Sequence, residues 1–173
     1  MLKILLVEDT RQHLRDAIEA SREFGNIELV WATTGVEAEK KMVGYDEHMV
    51  RVPLVDGVVT DVFMPLMTVD HRPEMNHAES PVGVGVALLA HRVGIPVVFC
   101  TAGWHHGKGC AWIHHFFNDL PPTQPNDVSI PMIDSSFQYE SEADTKDWKQ
   151  AFETVLDIIN KKSSTTSSAV GQE

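Results

Sequence analysis

The chain is poor in cysteine: Cys100 and Cys110 are the only two among 173 residues. A disulfide framework is therefore excluded, and a reducing, cytoplasmic setting is expected. Positive charge is also scarce, with 14 lysines and arginines against 25 acidic residues and a net charge of −11. That balance argues against nucleic-acid binding through a phosphate backbone. No apolar run approaches the length of a membrane span. The opening segment Met1-Leu2-Lys3-Ile4-Leu5-Leu6-Val7 is cut off at once by Glu8-Asp9 with no small-residue cleavage site, so it reads as a first strand and not as a signal peptide. What is present is ordinary for a globular domain: 43% hydrophobic and 23% charged residues.

The run Val58-Val59-Thr60-Asp61-Val62-Phe63-Met64-Pro65 organises the rest. A valine-rich run reads as a strand buried on both faces. An ionised aspartate is costly in such surroundings unless paired or bound to metal, which places Asp61 at the strand's carboxyl end. Lys3–Val7, Ile27–Ala32, Ile95–Cys100 and a weaker Val128–Ile133 give four further strands, and Pro131 puts the last of these at a sheet edge. Helical spacing is expected over Arg11–Phe24 (Asp9 or Thr10 as N-cap), Val36–Val43, Gly83–Val93, Cys110–Leu120 and Ser141–Ile159. Strands and helices alternate, so the fold class is α/β: a doubly wound, five-stranded parallel sheet of order 2-1-3-4-5, flavodoxin-like. One domain over 1–160 is expected, with enlarged loops near 66–82 and 103–127 and a disordered Ser/Thr-rich tail over 161–173.

In that order Glu8-Asp9, Asp61 and Thr101 all fall at carboxyl ends of adjacent strands. At about 4 Å and an effective dielectric near 20, each like-charged pair costs on the order of 4 kcal/mol, which a hard divalent cation relieves. The segments Ile4-Leu5-Leu6-Val7-Glu8-Asp9, Val59-Thr60-Asp61-Val62-Phe63-Met64-Pro65 and Val97-Val98-Phe99-Cys100-Thr101-Ala102 together resemble the receiver domain of a two-component response regulator, of the chemotaxis-response-regulator type. The resemblance implies a stand-alone phosphoacceptor. Asp61 would take a phosphoryl group from a sensor histidine kinase or phosphotransfer protein. Mg²⁺ would be held by Asp9, Asp61, the backbone carbonyl of Phe63 and, mainly through water, Glu8. Thr101 would contact the phosphoryl oxygens, and the signal would pass to a protein partner. Activity as an enzyme would not extend beyond self-catalysed phosphoryl transfer and dephosphorylation.

Two features depart from the pattern. The family has a lysine followed by proline after the fifth strand, whereas this chain reads Ile133-Asp134-Ser135, and Pro131 stands near the place of an aromatic switch residue. Lys108 is one substitute within reach. The alternative reading is a degenerate receiver acting as a phosphorylation-independent interaction module. A metal-dependent hydrolase on the same fold lacks a general acid–base partner. His106, Cys110 and His114, with His105 and His115, are spaced as a soft-metal site would be, but Gly107 and Gly109 break the helix it needs, and surface histidines are the commoner explanation.

Overall fold

The computed structural model describes residues 1–64, 80–102, 130–134 and 145–169. The histidine-rich segment, Lys108, Pro65 and nearly all of the two enlarged loops lie outside them. Five parallel strands form the main sheet: β1 (Leu2–Val7), β2 (Ile27–Ala32), β5 (Gly57–Thr60), β6 (Val97–Thr101) and β7 (Met132–Asp134). Their order is β2-β1-β5-β6-β7, so the expected 2-1-3-4-5 arrangement is the one observed. Four helices accompany them among the described residues: α1 (Arg11–Ser21), α2 (Gly35–Met42), α3 (Val82–Arg92) and α4 (Trp148–Ala169).

The central strands are apolar without interruption because both faces of the sheet are covered. Side chains alternate across a strand. Leu5 and Val7, Val58, and Val97 and Phe99 therefore enter one core, which Ala38 and Met42 of α2 and Val86, Ala87 and Ala90 of α3 complete. Ile4 and Leu6, Val59, and Val98 and Cys100 enter the other, against Ala17 of α1 and Ala151, Phe152, Val155 and Ile159 of α4. Phe99 and Phe152 anchor the two cores, each fully buried, and such burial stabilises by roughly 1.5–3 kcal/mol per side chain. Gly94 ends α3 with φ +76°, the left-handed conformation that glycine adopts without strain.

Several elements differ from the expectation. Residues Val43–Tyr45 (β3) and Arg51–Pro53 (β4) form a separate antiparallel hairpin, whereas Val43 was expected to end α2. β-branched Val43 and Val52, with Tyr45 between, favour extended backbone, and Asp46 Oδ1 closes the turn by accepting from the N–H groups of His48 (2.9 Å) and Val50 (2.8 Å). The edge strand begins only after Pro131, so Asp134 lies within β7, in register with Thr101. Helix α4 starts at Trp148, with residues 145–147 outside it, because Asp147 Oδ1 accepts the N–H of Gln150 at 2.9 Å and caps it there; Ser141, the expected start, lies outside the described residues. It then continues through 161–169, where a disordered tail was expected. Ser163 and Ser164 donate their hydroxyls back to the carbonyls of Ile159 (3.0 Å) and Lys161 (2.7 Å), so the serines are accommodated within the helix. No helix among the described residues is long and apolar enough to cross a membrane.

Candidate functional site

The carboxyl ends of β1, β5 and β6 meet at the centre of the sheet. Backbone bonds fix two of the acidic residues: Glu8 N donates to Ala32 O and Asp61 N to Val7 O, each at 2.9 Å. The chain thus leaves β1 and β5 side by side. Glu8 is fully buried, Asp61 is 7% exposed, and Asp9 is exposed at the mouth. One carboxylate oxygen from each of Glu8, Asp9 and Asp61 lies within 4.8 Å of the others. The three acidic residues singled out in the sequence are therefore brought together. Thr101 ends β6 next door, with its side chain buried, and Phe63 is half-buried two residues beyond Asp61.

The backbone around Asp61 tolerates little change. Val62 N–H donates to Asp61 Oδ1 at 2.7 Å. Helix α3 packs its first turn directly over the strand end, and Gly83 N donates to Val62 O at 3.0 Å. A Cβ at Gly83 would stand 1.7 Å from the Asp61 carbonyl oxygen. Only glycine permits that approach.

The decisive group is one that sequence reasoning missed. Lys146 Nζ lies 2.5 Å from Glu8 Oε2 and 2.7 Å from Asp61 Oδ2, with its side chain 2% exposed. A lysine after the last strand is absent at Asp134, but Lys146 brings an ammonium to Asp61 from twelve positions further along. The expected helix over Ser141–Ile159 contained Lys146 and gave it no role. The Asp147 cap instead leaves Lys146 outside the helix, where it turns inward over the ring of Trp148, 5.5 Å from the ring centroid. Asp147 itself was the available signal, since an aspartate just before an apolar periodic run marks a helix start. His13 was also passed over. It is buried on α1, with Nδ1 3.6 Å from Glu8 Oε1, one turn before Ala17 on the same face. Thr10, expected to cap α1 through its side chain, makes no such bond. Its N–H goes to Glu8 Oε1 at 2.9 Å.

These contacts divide the carboxylates electrostatically. Burial pushes Glu8 up, but His13, Lys146 and the Thr10 N–H outweigh it and hold Glu8 below the ordinary glutamate value. Burial raises Asp61, and the pull of Lys146 does not offset burial and the charge of Glu8 together. Asp9 is raised by burial and by the charges of Glu8 and Asp61. Lys146 stays above its ordinary value because the two carboxylates overcome the cost of burying it. One ammonium thus serves two buried carboxylates and leaves a net negative pocket. Its all-oxygen donor set fits a hard cation such as Mg²⁺.

The molecule is therefore a doubly wound α/β domain with an acidic pocket at the carboxyl ends of its central strands. No family model and no curated protein matches its sequence. Its neighbours among solved structures include receiver domains of response regulators. The non-phosphorylated HemR receiver domain from Leptospira biflexa is 21% identical, covering 92% of this chain and 94% of that one, with a TM-score of 0.47. The N-terminal domain of a response regulator/sensory box/GGDEF protein from Carboxydothermus hydrogenoformans is 18% identical over 95% and 98%, with a TM-score of 0.45. A fusion carrying a trimeric coiled-coil segment of yeast Spc42 gives 18% identity over 99% and 87%, with a TM-score of 0.54. These are likenesses of fold, and the site must be argued from its own residues.

Proposed function

We propose that this chain is a receiver-type phosphoacceptor in two-component signalling, with Asp61 as the acceptor. The observation that carries the reading is the convergence of Glu8, Asp9 and Lys146 on a buried aspartate at the end of the central strand. An oxygen of the Asp61 carboxylate forms the new bond to phosphorus while the bond from phosphorus to the donor histidine of a kinase or phosphotransfer protein breaks. The imidazole keeps that electron pair. Asp61 is held for this step through Oδ1 by the Val62 N–H. Lys146 supplies positive charge where the phosphoryl oxygens gather, and Thr101 offers a hydroxyl from β6. Asp9 and Asp61, with the Phe63 carbonyl and with Glu8 behind them, are the groups that would hold Mg²⁺, which when bound neutralises charge on the transferring group. The phosphorylated domain signals to a protein partner.

The interaction-module reading rests on Asp134 in place of the lysine, hence a missing cation beside Asp61, and on the lost aromatic switch residue near Pro131. Lys146 Nζ at 2.7 Å from Asp61 Oδ2 counts against the first of these. The test uses acetyl phosphate with Mg²⁺. Wild type gains one phosphoryl mass, acetate leaving, and Asp61→Ala gains none. Equal labelling of the two proteins rejects Asp61 as acceptor.

A further inference from the structure

Lys146 reaches the pocket from a segment remote in sequence, and nothing in β7 delivers it. Its two anionic partners are not equivalent. Asp61 Oδ1 is committed to the Val62 N–H, and in the proposed reaction Asp61 changes its own charge and shape. Glu8 does not react. It is fully buried, and both of its oxygens are engaged. Oε1 accepts the Thr10 N–H at 2.9 Å and faces His13 Nδ1 at 3.6 Å, while Oε2 accepts from Lys146 at 2.5 Å. The Thr10 N–H fixes Glu8 to the start of α1, with the buried His13 ring packed close beside it, so the carboxylate is a rigid seat on one side of the sheet for an ammonium arriving from the other end of the chain.

We propose that Glu8, braced by His13, is the positioning residue for Lys146. Its main task is to hold that ammonium against Asp61, in place of a lysine fixed by the end of the last strand. The purpose of the arrangement rests on the phosphoacceptor reading; the positioning itself does not. A seat on Glu8 keeps the lysine in the pocket when Asp61 is neutral or modified. A seat on Asp61 alone would be lost at that moment.

The two possibilities separate in a lysine-acylation footprint read by mass spectrometry on the full chain, with exposed Lys40 and Lys149 as internal references. In wild type, Lys146 is acylated at least about tenfold more slowly than the references, since the buried, paired ammonium must be released first. Glu8→Gln raises its labelling about fivefold or more, whereas Asp61→Asn leaves it within about twofold of wild type, because Glu8 still holds it. His13→Phe fills the same space without the imidazole and shifts labelling in the direction of Glu8→Gln by a smaller factor. It also stands in if Glu8→Gln does not fold. Unchanged protection in Glu8→Gln, or in His13→Phe where that variant stands in, overturns the proposal, as does deprotection by Asp61→Asn equal to that by Glu8→Gln. With acetyl phosphate, Glu8→Gln is slowed about tenfold, and adding Lys146→Met slows it no further, the mark of two residues acting as one unit. Independent, multiplicative losses overturn the proposal too. If wild type accepts no phosphoryl group at all, the phosphoacceptor reading falls, and the footprint alone decides the positioning.

Discussion

Glu8 and Asp9 leave the end of β1 in succession, yet the first is fully buried and the second stands at the pocket mouth. Alternation along an extended chain sends one side chain into the core beside α1 and the other outward. Their electrostatics diverge accordingly. Glu8 is held below its ordinary range by His13, Lys146 and the Thr10 N–H despite its burial, whereas Asp9 is raised by partial burial and two neighbouring carboxylates. Position in the chain makes them look like a matched acidic pair. Environment gives one a structural partner and leaves the other available to a cation.

The largest effect expected from breaking this asymmetry comes from Lys146→Met. The variant leaves Glu8 buried with its charge uncompensated on the Oε2 side and removes the ammonium from Asp61. Removing one member of a buried pair costs roughly 3–5 kcal/mol, so the urea midpoint falls clearly. Lys149→Met is the matched control: its bridge to Glu23 at 2.6 Å is fully solvated, and no measurable shift is expected. Equal midpoints for the two variants would show that the Lys146 pair contributes nothing to the fold.

The outcome bears on what the sequence could reveal. The sheet was legible because β1, β5 and β6 are buried on both faces, which demands continuous apolar runs. The three carboxylates were legible because each terminates such a run. Lys146 was not, since its role depends on where α4 begins. A single cap at Asp147 decides whether position 146 lies on a helix surface or folds inward. The β3–β4 hairpin was hidden in the same way. Val43 continues a helical pattern, and the turn that reverses it depends on the Asp46 side chain and on Met49 at φ 60°. Local polar contacts of this kind leave almost no periodic trace. The sequence also could not reveal which carboxylate a lysine would neutralise, because that choice follows from burial and not from spacing.

An intermediate effect is expected with pH. Asp9 and Asp61 have raised values in the fold, so the native state binds their protons more tightly than the unfolded chain. Their ionisation therefore costs stability as pH rises from the ordinary aspartate value of 3.8 through their folded values. Glu8 has the opposite sign. Its contribution is complete above the ordinary glutamate value of 4.5 and is lost as pH falls through its depressed folded value. Without divalent cation, the melting temperature should rise on moderate acidification from neutrality and fall again once Glu8 takes up its proton. Melting curves across that range check the sign. A steady decline from neutrality downward would mean that Asp9 and Asp61 are not raised.

The smallest effect belongs to the exposed partner of the pair. Asp9→Asn removes one of three clustered negative charges and leaves the Glu8–Lys146–Asp61 bridge untouched. Without divalent cation the variant should melt about 1–2 °C above wild type, a small gain because solvent screens a side chain at the pocket mouth. Millimolar Mg²⁺ should reverse the ranking. Wild type binds the cation only when folded and is stabilised by it, while the variant has lost a donor and responds weakly. The sign change matters more than either shift. A merely local packing effect of asparagine would displace both curves equally, with and without Mg²⁺. Only removal of a charge that is repulsive when the pocket is empty and attractive when a cation fills it produces the crossing.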